Sequence, residues 1–311
     1  MTQESALAYL SHGQIPFFRL PLATAEIPPR TGAVLIGVPT DLGTTYQPGA
    51  RLAPWHVRRV SALVQGFHPF HRRAVFAELA AVDGGNTAFP PFSAAAMRDA
   101  VENRITAIAG AGAAPFVVGG DHSITLPILR ALARQHGPLG IIHIDAHLDT
   151  SGPEIWGEAF HHGTVFRHAI SEGLVARGAL FQIGIRGPWS SAEDDAISRA
   201  HGGRMFTSDE VAEHGPASIG TEIRSALGNR PAYISFDVDA LDPAFAPGTG
   251  TPVPGGLQSR EVFGLLRALA RVSLVGMDVV EVSPPLDVGD RTATLAAHLL
   301  LEGLALLLPC S

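Results

Sequence analysis

Runs such as AVLIGV (33–38) and PFVV (115–118) are apolar on successive positions, and this constrains the fold more than any other feature. A strand with one face in water alternates apolar and polar residues. A run that does not alternate is covered on both faces. Such runs recur at Ala33–Val38, Ala74–Val82, Pro115–Val118, Leu139–Asp145, Leu180–Ile185, Ala232–Asp239 and Leu274–Val280. Helical spacing lies between them, over Ala94–Gly110, Thr125–His136, Ala192–His201 and Ser259–Ala270. Strands alternating with helices imply an α/β fold with a parallel sheet and helices packed on it. No low-complexity linker, charge block or internal repeat divides the chain. We expect one domain over residues 1–311, with 1–30 as an N-terminal extension at the surface or in a subunit contact.

Composition removes several function classes. With 46% hydrophobic and 16% charged residues, the chain is not a disordered one. All 22 basic residues are arginine, so neither a Schiff-base lysine nor a phosphate-loop lysine is available. A net charge of -7 argues against a nucleic-acid partner. The single cysteine, Cys310, rules out a disulfide framework and a thiolate zinc site within one chain. Fourteen histidines point any metal chemistry towards nitrogen and oxygen ligands. The start, MTQESALAYLSHGQ, lacks a basic segment followed by an apolar core, so a cytoplasmic protein is expected. Thr294–Leu308 is apolar but carries His298 and Glu302. It falls short of the roughly 20 residues a membrane span needs, and reads as a buried C-terminal helix. No membrane partner is expected. His68 and His71, among Phe67, Phe70, Arg72 and Arg73, read as a surface or subunit contact.

Three polar clusters follow three of the apolar runs. GGDHSIT (119–125) follows PFVV, DAHLD (145–149) follows LGIIHI, and DVDALD (237–242) follows AYISF. In parallel sheets, ligands bind at the carboxyl ends of the strands. Four carboxylates gathered there would repel one another unless a divalent cation, or two, joined them. In an extended D-x-H-x-D segment, Asp145, His147 and Asp149 point to one face, as do Asp237 and Asp239 in D-x-D. His122 adds a second imidazole. Four carboxylates and two imidazoles suit manganese, nickel or zinc.

With these residues in place, the sequence resembles the ureohydrolase family of agmatinases, arginases, guanidinobutyrases and proclavaminate amidinohydrolases. GGDHS (119–123), DAHLD (145–149), HHGTVFRHA (161–169), SFDVDALDPAFAPGTGTPVPGG (235–256), GMDVVEVSPPLD (276–287) and PGAR (48–51) carry the resemblance, with the long block nearest to agmatinase and its relatives. It implies a three-layer α/β/α fold with a parallel sheet of about eight strands, as in arginase. It also implies two divalent ions, usually manganese, with nickel a second choice. His122, Asp145, Asp149 and Asp237 would hold one ion; Asp145, His147, Asp237 and Asp239 would hold the other. His162 matches a family histidine that binds substrate and transfers a proton, and Glu281 the glutamate that grips the guanidinium. A homo-trimer or homo-hexamer is implied, a hetero-oligomer with a related subunit being the alternative.

The chemistry that follows is hydrolysis of a guanidino C–N bond. A water shared by two metal ions is acidified, a carboxylate at Glu281 meets the cation, and Asp149 or His162 protonates the leaving amine. Urea or a substituted urea is released. Agmatine leads the candidate substrates, ahead of 4-guanidinobutanoate and small substituted guanidines or biguanides. An arginase-fold amide deacetylase and a non-catalytic partner subunit are the other classes weighed. The loop Thr150–Phe160 is expected to line the substrate tail through Trp156, Glu154 and Glu158, its acidity favouring a cationic or neutral tail. Gln47, Leu52-Ala53 and Asn86 depart from the family pattern outside the metal motifs.

Overall fold

The computed structural model describes residues 15–309. Its centre is an eight-stranded, wholly parallel sheet. In chain order its strands are β1 (Ala33–Gly37), β4 (Val82–Asn86), β5 (Ala114–Val118), β6 (Leu139–Ile144), β7 (Val175–Ile185), β8 (Arg204–Thr207), β9 (Ala232–Asp237) and β10 (Leu274–Val280). β2 (Phe67–His68) and β3 (Arg73–Ala74) form a separate antiparallel hairpin. The spatial order is β4-β1-β5-β10-β9-β6-β7-β8. Every residue of β1, β6 and β9 is buried, as their non-alternating runs require. Apolar clusters on both faces of the sheet supply the hydrophobic burial that stabilises it. The expected three-layer fold is therefore present.

Register sets the level of the strand ends. Ile144 of β6 pairs with Phe236 of β9, Asp237 with Val280 of β10, and Val279 with Val118 of β5. Asp145, Asp237, Glu281 and the turn Gly119-Gly120 thus emerge side by side from four adjacent central strands. The turn must be glycine at 120, where a Cβ would lie 2.3 Å from the Thr40 carbonyl oxygen.

Two sequence expectations need correction. Ala74–Val82 is not a strand: after β3 the chain forms the helix Val75–Glu78, and β4 begins only at Val82. Val75, Phe76 and Leu79 are buried at helical spacing, and the Glu78 carboxylate accepts the Ala74 N–H at 2.8 Å. The helix expected over Ala192–His201 is confined to Ala196–Ala200. β8, only four residues long at the sheet edge, carried too weak a pattern to be read. The C-terminal helix spans Arg291–Leu306 and is buried almost throughout. Among the described residues, no helix is long and apolar enough to cross a membrane.

The hairpin is more than a surface contact. Phe67 and Phe70 are exposed, but His68 is buried with its Nε2 3.1 Å from Glu302 Oε1, and Arg267 donates to the same carboxylate. Of the N-terminal extension, residues 1–14 lie outside the described residues. Phe17 and Phe18 are buried, and the Phe17 N–H donates to Asp83 at 2.8 Å.

Candidate metal centre

His122 enters the site from a single 3-10 turn, His122–Ile124, after β5. Asp121 caps that turn, accepting the Ser123 N–H at 2.9 Å and the Gly43 N–H at 2.8 Å. Asp237 ends β9 and caps the next turn, its Oδ1 accepting the Asp239 N–H at 2.8 Å. The segment after β6 is where local expectation fails. An extended Asp145–Asp149 would separate its end carboxylates by about 13 Å at a strand's rise per residue. Instead β6 stops at Ile144, the chain bends, and Asp149 takes a left-handed φ of 51°. Both carboxylates then reach one imidazole: His122 Nδ1 lies 3.1 Å from Asp145 Oδ2 and 2.9 Å from Asp149 Oδ2. Asp237 Oδ2 is 3.4 Å from the same nitrogen.

A second group adjoins the first. His147 Nδ1 lies 3.0 Å from Asp239 Oδ2 and 3.4 Å from Asp145 Oδ1. Asp145 belongs to both groups, one oxygen towards each. All six residues singled out in the sequence, His122, Asp145, His147, Asp149, Asp237 and Asp239, are therefore brought together.

The electrostatics of this cluster favour added positive charge. Burial, then the Asp239 and Asp145 charges, push the Asp237 carboxyl well above the usual range. Asp239 is also raised, by burial first. Asp145 is held well below its usual value because three histidines outweigh its burial. Burial opposes the charge on His122 and His147. Asp149 and the other carboxylates overcome that, lifting His122 well above its ordinary value and His147 to about 12. Two divalent cations would balance the four carboxylates and leave both imidazoles neutral, as ligands must be.

The donor atoms fit such ions. His122 Nε2 is 2.8 Å from Ser235 Oγ, which donates to Asp278 Oδ1 at 2.9 Å. Asp278 also accepts from Thr125 and Tyr233. With Nε2 donating into this chain, His122 Nδ1 is the ring atom turned to the three carboxylates. It carries a proton towards them in the absence of metal and offers its lone pair once an ion displaces that proton. One proton cannot serve three carboxylates, whereas a divalent cation between them and Nδ1 engages every donor atom.

Glu281, placed just after β10 with φ 62°, lies beside these groups. Its Oε1 accepts the His122 N–H at 2.9 Å and lies 2.9 Å from His162 Nδ1. Burial raises the Glu281 carboxyl. Burial also works against His162, but Glu281 prevails and holds it at about 9. His162 Nε2 is 2.9 Å from Thr45 Oγ1.

A cavity of about 310 Å³ opens over the cluster, with His147, Asp149, His162 and Asp237 in its wall and Trp156 and Trp189 further out. Trp156 is 63% exposed, at the end of the short helix Pro153–Trp156. Glu154 and Glu158 do not line the cavity, contrary to the sequence expectation. Glu158 turns back to accept the Phe160 N–H of its own loop at 3.2 Å. Asn86 lies on the edge strand β4, accepting from Arg58 at 2.5 Å, away from the metal groups.

Sequence reading missed His143 and Gln182. His143 Nε2 is 2.7 Å from Asp145 Oδ2, and Gln182 Nε2 approaches His143 Nδ1 at 3.3 Å and the Leu148 carbonyl at 2.7 Å. The signal was available: His143 precedes Asp145 by two residues at the end of a strand, and so shares its face.

Fold and site together define an α/β protein with a two-part carboxylate–imidazole cluster suited to metal ions at the carboxyl rim of a parallel sheet. The chain belongs to the arginase family, whose sequence model matches residues 31–305. It is 44% identical to proclavaminate amidinohydrolase of Streptomyces clavuligerus over 93% of this chain and 91% of that protein. The solved structure of that enzyme superposes with a TM-score of 0.87, covering 94% of this chain and 97% of that one at 43% identity. Guanidinopropionase of Pseudomonas aeruginosa is 45% identical over 94% of this chain and 91% of its own length. A hypothetical agmatinase from Burkholderia thailandensis matches with a TM-score of 0.86 at 38% identity, covering 95% of this chain and 91% of that one.

Proposed function

We propose that this chain, acting as one hydrolase domain, cleaves the guanidino C–N bond of a small guanidino compound, releasing urea or a substituted urea and an amine. The observation that carries the reading is the convergence of two ligand groups on Asp145 beneath a cavity whose wall includes His162, itself paired with the buried Glu281. Similarity to proclavaminate amidinohydrolase and guanidinopropionase supports it. The deacetylase alternative calls for one ion group where this site has two that share Asp145.

His122, Asp145, Asp149 and Asp237 would hold one divalent ion, and Asp145, His147, Asp237 and Asp239 the other, with manganese the first choice and nickel the second. When bound, such ions acidify water and supply a hydroxide nucleophile at neutral pH. The protein's own groups do the rest. Glu281 is the buried carboxylate that meets the guanidinium, through a charge-assisted hydrogen bond. It also holds His162 protonated, so that Nε2, at the cavity wall beside Thr45, has a proton for the departing amine. Asp149, whose Oδ2 lies 2.9 Å from His122 Nδ1 and which shares the cavity wall with His162, is the second group able to relay a proton. Trp156 stands at the mouth as a substrate contact.

The test is a panel of guanidino compounds assayed for urea and amine with manganese and nickel loading compared. Stoichiometric urea and amine from at least one compound, dependent on metal, is the expected result. Amide hydrolysis without urea would replace this reading with the deacetylase one. We also propose a homo-oligomer, trimeric or hexameric, built on exposed apolar side chains such as Trp55, Phe67 and Phe70. A single 32.6 kDa particle by light scattering would reject that.

A further inference from the structure

Beyond the metal groups, the cavity wall offers a substrate tail no cation and no carboxylate free of protein donors. No arginine is among the described residues lining it, and the chain has no lysine. Arg186 follows β7 near the ligand segments, but its guanidinium is spent on the carbonyl oxygens of Gly184, Asp239, Ala240 and Leu241. The one carboxylate in the outer wall, Asp194, is engaged as well. It accepts the Ser190 N–H at 2.6 Å, the Ser191 N–H at 3.1 Å and both serine hydroxyls at 2.8–2.9 Å. His161, also in the wall, accepts the Gly163 N–H at Nδ1, and burial followed by the His162 charge lowers its pKa, so it stays neutral. What remains at the mouth is apolar and aromatic: Ile155, Trp156 and Trp189, the tryptophans 63% and 39% exposed.

An anionic tail entering this cavity would lose water without meeting a cation, and an ammonium tail would have to compete with the Ser190 and Ser191 donors for the one outer carboxylate, Asp194. An uncharged tail loses little and gains contact area on two indole faces. We infer that the substrate is a guanidino compound whose tail beyond the guanidinium is uncharged and largely apolar, selected by Trp156 and Trp189. The inference rests on the guanidino-hydrolase reading above and narrows it to a substrate class. It also displaces agmatine from first place, since Glu154 and Glu158, the two loop carboxylates that would have favoured a terminal ammonium, are not in the cavity wall.

The test compares three tails of matched length, N-butylguanidine, agmatine and 4-guanidinobutanoate, on the metal-loaded protein. Urea release gives kcat/KM, and tryptophan fluorescence gives binding even where no urea forms. The expected result is that N-butylguanidine exceeds both charged compounds by at least about tenfold in kcat/KM and in affinity. Trp156→Ala and Trp189→Ala should each raise KM for N-butylguanidine several-fold with little change in kcat and none in metal content. A preference for agmatine or 4-guanidinobutanoate overturns the inference, as does an unchanged KM in both variants. If no compound yields urea yet N-butylguanidine binds most tightly, the hydrolase reading fails while the tail selectivity stands.

Discussion

His143 Nε2 stands 2.7 Å from Asp145 Oδ2, and it must be a donor there. Leu148 O can only accept, so the Gln182 amide nitrogen faces it and offers its second N–H to His143 Nδ1. That leaves the proton of a neutral His143 on Nε2, pointed at the carboxylate. Asp145 Oδ1 accepts the His147 N–H at 2.6 Å. Each oxygen of the shared ligand is thus aimed by one protein donor and keeps a lone pair for an ion.

Replacing His143 with Phe keeps a ring against Phe166, whose centroid lies 4.0 Å away, but removes that donor. Metal affinity should fall by about 10–100-fold, the range for losing a group that orients a metal ligand. Competition with a chelator measures it, and circular dichroism checks that the fold persists. Unchanged affinity would mean that the His147 N–H alone positions Asp145.

Asp237→Ala removes a carboxylate that meets the His122 group and neighbours Asp239. The variant should lose activity and at least one ion. Elemental analysis that still finds two ions per chain would reject Asp237 as a ligand.

Glu281→Gln should retain the metal, because the residue contacts His122 through the backbone N–H and not through the imidazole. The loss in kcat/KM should be about 2–5 kcal/mol, as for removing one partner of a buried charged pair. Wild-type kinetics would remove Glu281 from the guanidinium site. A variant that has lost its ions would instead reassign it to metal binding.

Ion binding should release protons. His147 is held at about 12 and His122 is also raised, so near neutral pH both imidazoles carry protons that a metal must displace. Raised pKa values favour the protonated, metal-free form as pH falls, so affinity should rise with pH, by at least about tenfold between pH 6 and 8. Titration calorimetry in two buffers of different ionisation enthalpy counts the protons. An enthalpy independent of buffer would show that the imidazoles are already neutral.

Much of this protein is legible in one dimension. Non-alternating runs such as AVLIGV and AYISF announce strands covered on both faces, because a buried strand has no solvent side on which to place polar residues. GGDH, DAHLD and DVD each place carboxylates and imidazoles within a few residues directly after such a run, so short-range spacing was enough to single out the six that the fold brings together. Where the run was ambiguous, as in AVFAELAAV (74–82), the helical spacing of Val75, Phe76 and Leu79 prevailed over strand expectation once tertiary burial chose a face.

The rest was decided by tertiary structure. The left-handed turn that brings Asp149 back to His122 cannot be read from D-x-H-x-D, which looks extended in isolation. His162 and Glu281 stand 119 residues apart, and Gln182 and His143 stand 39 apart. These pairs meet only because the sheet orders its strands β5-β10-β9-β6-β7, setting late strands between early ones. The sequence by itself determined which acidic residues and histidines cluster at the strand ends, since that follows from local pattern. Strand order and register determined which of them touch, because hydrogen bonding between strands remote in sequence is a property of the assembled sheet and of no segment within it.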